Sequence, residues 1–112
     1  MRGFLLVLGL LLASASAARA DFDGTQLNDK CQDQNNPLST TYCNAYIAGV
    51  LDMARDVDAT GSAGGRLFCK PLDVSANELT NKVKQYLKDN PEQLSYSASS
   101  IVLEMMIHSY PC

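Results

Sequence analysis

Apolar and small side chains recur at spacings of three and four residues along the stretch STTYCNAYIAGVLDMARDV, residues 39–57. That spacing is the period of one helix face, so the stretch predicts a long helix with a buried stripe. The predicted stripe comprises Tyr42, Ala45, Tyr46, Gly49, Val50, Met53, Ala54 and Val57, widened by Cys43 and Ile47. A glycine on this face costs helix propensity. Gly49 therefore either admits the close approach of a second backbone or is merely tolerated.

Three shorter helices are predicted by the same period, over residues 25–33, 76–89 and about 95–109. The second of them follows a Ser-Ala-Asn-Glu capping box. The last has a predicted buried face of Ala98, Ile101, Val102, Met105 and Met106. No stretch alternates like a strand. The pattern therefore predicts an all-α fold, a small orthogonal bundle of about four helices.

The segment between the long helix and the capping box has no helical period. Its first half, DATGSAGGR at residues 58–66, is polar and rich in glycine, which is typical of an exposed mobile loop. Its second half, LFCKPL, is apolar and contains a cysteine, so we expect it to be extended and anchored.

The first twenty residues have the pattern of a secretory signal peptide. Arg2 precedes an apolar run over residues 4–13, and small residues lead to Ala-Arg-Ala at 18–20. The run is too short for a membrane span, which takes about 20 apolar residues. We therefore expect cleavage after Ala20 and a soluble mature domain over residues 21–112, with no membrane attachment.

Four cysteines lie in this mature part, and an even count in an exported chain indicates two disulfides. Three connectivities are possible. We favour Cys31 with Cys43 and Cys69 with Cys112, worth about 3 and about 4 kcal/mol through loop-closure entropy. Zinc binding is the rival, but the chain has no C-x-x-C pair and a single histidine.

The charge and the reactive residues argue against several functions. Seven Lys and Arg stand against twelve Asp and Glu after residues 1–20 are removed, which disfavours nucleic acid as a partner. His108 lies in the last turn of a predicted helix, where a structural or solvated role is the ordinary one. Neither a phosphate loop nor a cofactor motif is present. The sequence predicts a binding protein that is no enzyme.

Several motifs in fixed order resemble one family. They are CNAYIAGVLD at residues 43–52, FCKPLDV at 68–74, VxxYLxxNPE at 83–92 and YPC at 110–112. Together with the signal peptide and the first cysteine, they resemble the Rap/Tai family of immunity proteins. The resemblance implies a periplasmic helical protein, often a homodimer, that blocks a peptidoglycan amidase delivered by type VI secretion.

The motif residues identify no contact surface, and the loop after the long helix is our candidate for it. The loop at residues 58–66 is long, exposed and held at both ends, and such a loop can enter an enzyme cleft. The candidate contacts are Asp56, Asp58, Thr60, Gly61, Ser62 and Arg66.

Two other functions fit the same residues. A small periplasmic chaperone activated by acid would also be exported, helical and disulfide-bonded, and it would expose apolar surface at low pH. A carrier of apolar ligands would need a cavity between the helices.

Overall fold

A computed structural model describes residues 22–61 and 64–112 of the chain. Four α-helices follow in order: α1 Gly24–Gln32, α2 Pro37–Thr60, α3 Ala76–Asp89 and α4 Ala98–Ser109. A 3₁₀ turn, Pro91–Gln93, joins the last two. The only extended pairing in the described residues is an isolated bridge between Asp23 and Ser97. The all-α prediction is confirmed. The predicted signal peptide lies outside the described residues.

The long helix is longer at both ends than predicted. Asn36 caps it by accepting a 3.0 Å hydrogen bond from the Leu38 N–H, so the helix begins at Pro37 and not at Ser39. Pro37 occupies the first helical position, where its missing N–H costs nothing. At the other end Gly61 forms the C-cap with φ +68°, a left-handed backbone conformation that residues with a side chain rarely adopt.

The other helix starts also depend on side-chain caps. The Asp23 carboxylate and the Gln26 side chain each accept the other's backbone N–H at 3.0 Å, forming a capping box before α1. Ser75 accepts from the Glu78 N–H at 3.1 Å, which is one half of the box predicted there. Ser97 caps α4, so this helix begins at Ala98, later than predicted.

All four helices contribute to one core. The most completely buried side chains are Leu27, Cys31, Cys43, Val83, Leu87, Ile101, Val102, Met105 and Met106. The predicted buried face of α4 is confirmed.

The predicted stripe on α2 is wrong in half of its members. Tyr42 and Met53 are 45% and 64% exposed, and Ala45 and Gly49 are exposed as well. The buried residues are Ser39, Cys43, Ile47 and Ala54. The helix is therefore rotated relative to the prediction, and the disulfide at Cys43 turns the Cys43 side toward α1.

No second backbone of the described residues approaches Gly49, because a Cβ built there meets none of their atoms within 4 Å. The close approach occurs at Gly24 instead. A Cβ on Gly24 would lie 2.8 Å from the Leu94 Cα and 3.0 Å from the Leu94 carbonyl oxygen. Hence α1 packs directly on the backbone of the turn before α4.

Both favoured disulfides are confirmed. Cys31–Cys43 joins α1 to α2, and Cys69–Cys112 joins the segment after α2 to the C-terminus. The Cys69 N–H also donates to the Tyr110 carbonyl at 2.8 Å. Residues 66–74, which we call the anchored segment, are thereby fixed beside α2.

Candidate functional site

A groove of about 900 Å³ opens between α2 and the anchored segment. We call it the main groove. Buried apolar side chains form its floor: Ile47, Leu79 and Met106. Half-buried apolar side chains form its walls: Leu51, Phe68 and Val74. A concave apolar surface of this size matches the pockets in which proteins hold ligands or partner side chains.

The lip of the main groove on the α2 side is charged, and each of its two carboxylates has a polar partner within the chain. The Asp52 carboxylate lies 3.7 Å from the Arg55 guanidinium in an exposed pair. Asp58 is half-buried, and its Oδ1 accepts a 3.1 Å hydrogen bond from the Leu67 N–H. Asp58 therefore has a structural task, since it holds the anchored segment against α2.

The lip on the anchored-segment side carries two cations, Arg66 and Lys70. Their polar contacts are weak: the Arg66 guanidinium lies 3.9 Å from the Cys69 sulfur, and the Lys70 ammonium donates to the Pro71 carbonyl at 3.3 Å. Neither cation forms an ion pair with a carboxylate in residues 22–61 or 64–112.

The predicted contact residues are only partly brought together. Asp58 and Arg66 both line the main groove, whereas Asp56 is exposed on α2 outside it. Thr60 is exposed in the last turn of α2, where its hydroxyl donates to the Val57 carbonyl at 3.2 Å. Gly61 ends the helix. The loop is therefore shorter than predicted, because α2 extends through Thr60. Ser62 lies outside the described residues.

Sequence reasoning missed the far lip of the groove. Leu72 is fully exposed at 101% and lines the groove beside Lys70. An apolar side chain on a turn indicates a contact surface only when the structure shows that it does not pack into the core. The motif FCKPLDV contained the residue, but the sequence alone did not show that Leu72 points away from the core.

A second, mostly apolar groove of about 660 Å³ lies on a different face of α2. Gly49, Met53 and Leu103 are among its lining residues. This is the face of α2 that the helical period predicted to be buried. Ala45, Gly49 and Met53 on this face are exposed.

Two tyrosines have perturbed acidity. Burial raises the pKa of Tyr110, with further contributions from the negative charges of Glu78 and Asp73. The Tyr110 hydroxyl is buried and has no hydrogen-bond partner within residues 22–61 and 64–112, and the Lys82 ammonium lies 5.5 Å from the ring centroid. Burial also raises the pKa of Tyr46, opposed by a hydrogen bond with Ser99.

The arrangement is suited to binding. All four cysteines are in disulfides, so none offers a thiolate. His108 lies 3.6 Å from Glu104 in an exposed pair on α4. The described residues hold no cluster of side chains suited to a metal ion. Among them, too, no helix has the length and apolarity that crossing a membrane requires.

The comparisons with known proteins agree with this picture. No curated protein matches the sequence. A family model described as Rap1a immunity proteins matches residues 23–112, which include all four helices and both disulfides. The matched span covers most of the chain, and therefore the protein belongs to the Rap1a immunity protein family.

Proposed function

We propose that this protein is a periplasmic immunity protein that binds and occludes a peptidoglycan amidase delivered by type VI secretion. The family match over residues 23–112 carries the proposal, because proteins of an immunity family bind a toxin. Occlusion requires a stable surface and no catalytic group. A disulfide-anchored groove with an apolar floor supplies such a surface.

Two features support the periplasm as the compartment. Disulfides form and persist in oxidising compartments, and both disulfides join elements that frame the core. The first twenty residues have the order of a signal peptide. A toxin that cuts peptidoglycan acts in that same compartment, so protection has to be exported.

The experiment is capture of the toxin. Mature protein, residues 21–112, is immobilised with its disulfides intact and exposed to periplasmic and secreted fractions of its own bacterium. We expect one stoichiometric partner that cleaves peptidoglycan amide bonds and loses this activity in the complex. A trace mixture of many partners that grows at acid pH would contradict the proposal and favour the acid-stress chaperone.

The contact hypothesis for residues 56–66 can be tested with the captured toxin. Asp56→Ala and Arg66→Ala alter exposed side chains, so neither disturbs the core. Asp58→Ala would release the Leu67 N–H and act on folding as well as binding. Deletion of residues 61–64 removes the loop itself. If inhibition is unchanged in Asp56→Ala, Arg66→Ala and the deletion, the loop is not the contact surface.

A homodimer through the exposed face of α2 is also proposed. Tyr42 and Met53 are exposed on this face of α2, and the half-buried Leu103 of α4 lines the second groove beside it. Gly49 allows a helix of a second copy to approach closely. We expect sedimentation of a dimer that Gly49→Leu converts to a monomer. A monomer in the unmutated protein would refute this arrangement.

A further inference from the structure

The main groove has an asymmetric charge pattern in an acidic protein. The carboxylates Asp52 and Asp58 on its α2 lip have partners within the chain. The cations Arg66 and Lys70 on its other lip have no carboxylate partner among the described residues. The charged side chains that line the groove are two carboxylates and three cations, Arg55, Arg66 and Lys70, so its net charge is positive, although the mature chain carries an excess of Asp and Glu.

An apolar side chain stands beside these cations. Leu72 is fully exposed and lines the same groove, while Phe68 and Val74 continue the apolar wall below it. An exposed leucine on an otherwise polar rim gains free energy only when another molecule covers it. Beside an apolar wall, an ion pair is also less screened than on an open surface.

The lip formed by the anchored segment is held in place without a partner. Asp58 accepts from the Leu67 N–H, the Cys69 N–H donates to Tyr110, and the Cys69–Cys112 disulfide fixes the middle of the segment. Binding to a preformed surface avoids the entropy cost of ordering a loop.

We propose that the main groove receives an apolar segment of the toxin that carries a carboxylate. The carboxylate pairs with Arg66 and Lys70, and a neighbouring apolar side chain packs on Leu72. This inference rests on the proposed function for the identity of the protein that supplies the segment. The charge and apolarity of the segment are inferred from the residues of the groove.

The test first uses a probe that does not depend on the toxin. Short random peptides displayed on phage are selected against the immobilised mature protein. We expect selected peptides to combine apolar residues with Asp or Glu. Basic peptides, or no peptide above background, would overturn the proposal.

Charge variants then show where the selected peptides bind. The double variant Arg66→Glu with Lys70→Glu should weaken peptide binding about tenfold or more. The matched control is Lys30→Glu with Lys88→Glu, two exposed lysines outside the groove with the same change in net charge. Equal weakening by both pairs would mean that only overall charge matters, and would overturn the proposal.

Leucine variants test the apolar contact. Leu72→Ser should weaken binding, whereas Leu38→Ser, at a leucine that is 78% exposed and outside the groove, should not. Because both side chains are exposed, neither change should lower the melting temperature. If Leu72→Ser instead converts a dimer to a monomer in sedimentation, a second copy fills the groove and the proposal fails.

Competition between a selected peptide and the captured toxin shows whether both bind in the main groove. Displacement of the toxin by a selected peptide supports the proposal, and failure to displace a bound and inhibited toxin overturns it while leaving the immunity function intact. If no hydrolase is captured at all, the proposed function fails, and the peptide selection still decides what chemistry the groove accepts.

Discussion

Replacing Gly24 by alanine places one methyl group where the fold has no room. The methyl carbon would lie 2.8 Å from the Leu94 Cα and 3.0 Å from the Leu94 carbonyl oxygen, and it would also contact the Ile101 Cδ1. The leucine atoms belong to the backbone and cannot rotate away. The same backbone is tied to α1, because the Thr25 N–H donates to the Leu94 carbonyl at 3.0 Å.

The expected cost is about 1–3 kcal/mol of unfolding free energy, the usual range for overpacking a core. Little is regained through helix propensity, since Gly24 is the first residue of α1. In a domain of this size, the melting temperature should fall by roughly 5–15 °C. Guanidinium unfolding followed by circular dichroism, with the disulfides intact, measures the free energy.

Gly49→Ala is the matched control. A Cβ at Gly49 meets no atom of the described part of the chain within 4 Å, and the residue lies inside α2. The same substitution should therefore stabilise the monomer by up to about 1 kcal/mol, at a concentration too low for dimers. If Gly24→Ala changed stability by less than about 0.5 kcal/mol, or Gly49→Ala were the more destabilising of the two, the assignment of the close approach to α1 would be refuted.

Three further predictions concern the anchored segment and the C-terminus. Replacing Cys69 and Cys112 together by alanine should lower the unfolding free energy by about 4 kcal/mol through loop-closure entropy; a loss below about 1 kcal/mol in guanidinium titrations would contradict this estimate. Asp58→Ala should cost about 1 kcal/mol and speed hydrogen exchange of the Leu67 amide; unchanged exchange would show that the hydrogen bond is not formed in solution. Because burial raises the pKa of Tyr110, the contribution of its neutral hydroxyl to stability is complete below pH 10 and is lost as the pH rises through the folded-state pKa. Tyr110→Phe should hardly change the unfolding free energy at pH 7, and it should reduce the loss of stability at alkaline pH. An equal alkaline loss in both proteins would refute this cause.

Local sequence signals specified the number of helices, most of their limits and both disulfides. The face of α2 was not specified, because this helix carries two apolar stripes and periodicity alone cannot tell which of them meets the core. One stripe contains Cys43 and Ile47, and the other contains Gly49 and Met53. The disulfide from Cys43 to α1 decides between them. The favoured Cys31–Cys43 pairing already pointed to the correct face, but the prediction was made from the helical period alone and merged the two stripes into one.

The start of α2 was misplaced for a different reason. Pro37 reads as a barrier to a helix arriving from upstream, yet proline is also favoured at the first helical position. Asn36 immediately before it supplies the cap, so the two residues together mark a start. At the other end, the helix continues to Thr60 because Gly61 provides a left-handed cap.

The candidate site was predictable only in part. Of the predicted contacts, Asp58 and Arg66 line the main groove. Their roles differ, since Asp58 accepts a hydrogen bond that holds the anchored segment and Arg66 is not paired with a carboxylate in the described residues. Lys70 and Leu72 were missed. Their positions follow from a disulfide and backbone hydrogen bonds between residues distant in sequence, and no local pattern encodes such contacts.

Protection of living cells is the decisive assay for periplasmic immunity. A strain lacking this protein is grown in contact with siblings that have an active type VI secretion system, and lysis is measured with and without the gene restored. We expect the full chain to restore survival, and we expect a version without residues 1–20 not to do so because it stays in the cytoplasm. Survival of the deleted strain, or equal protection by the version without residues 1–20, would contradict the claim of periplasmic immunity.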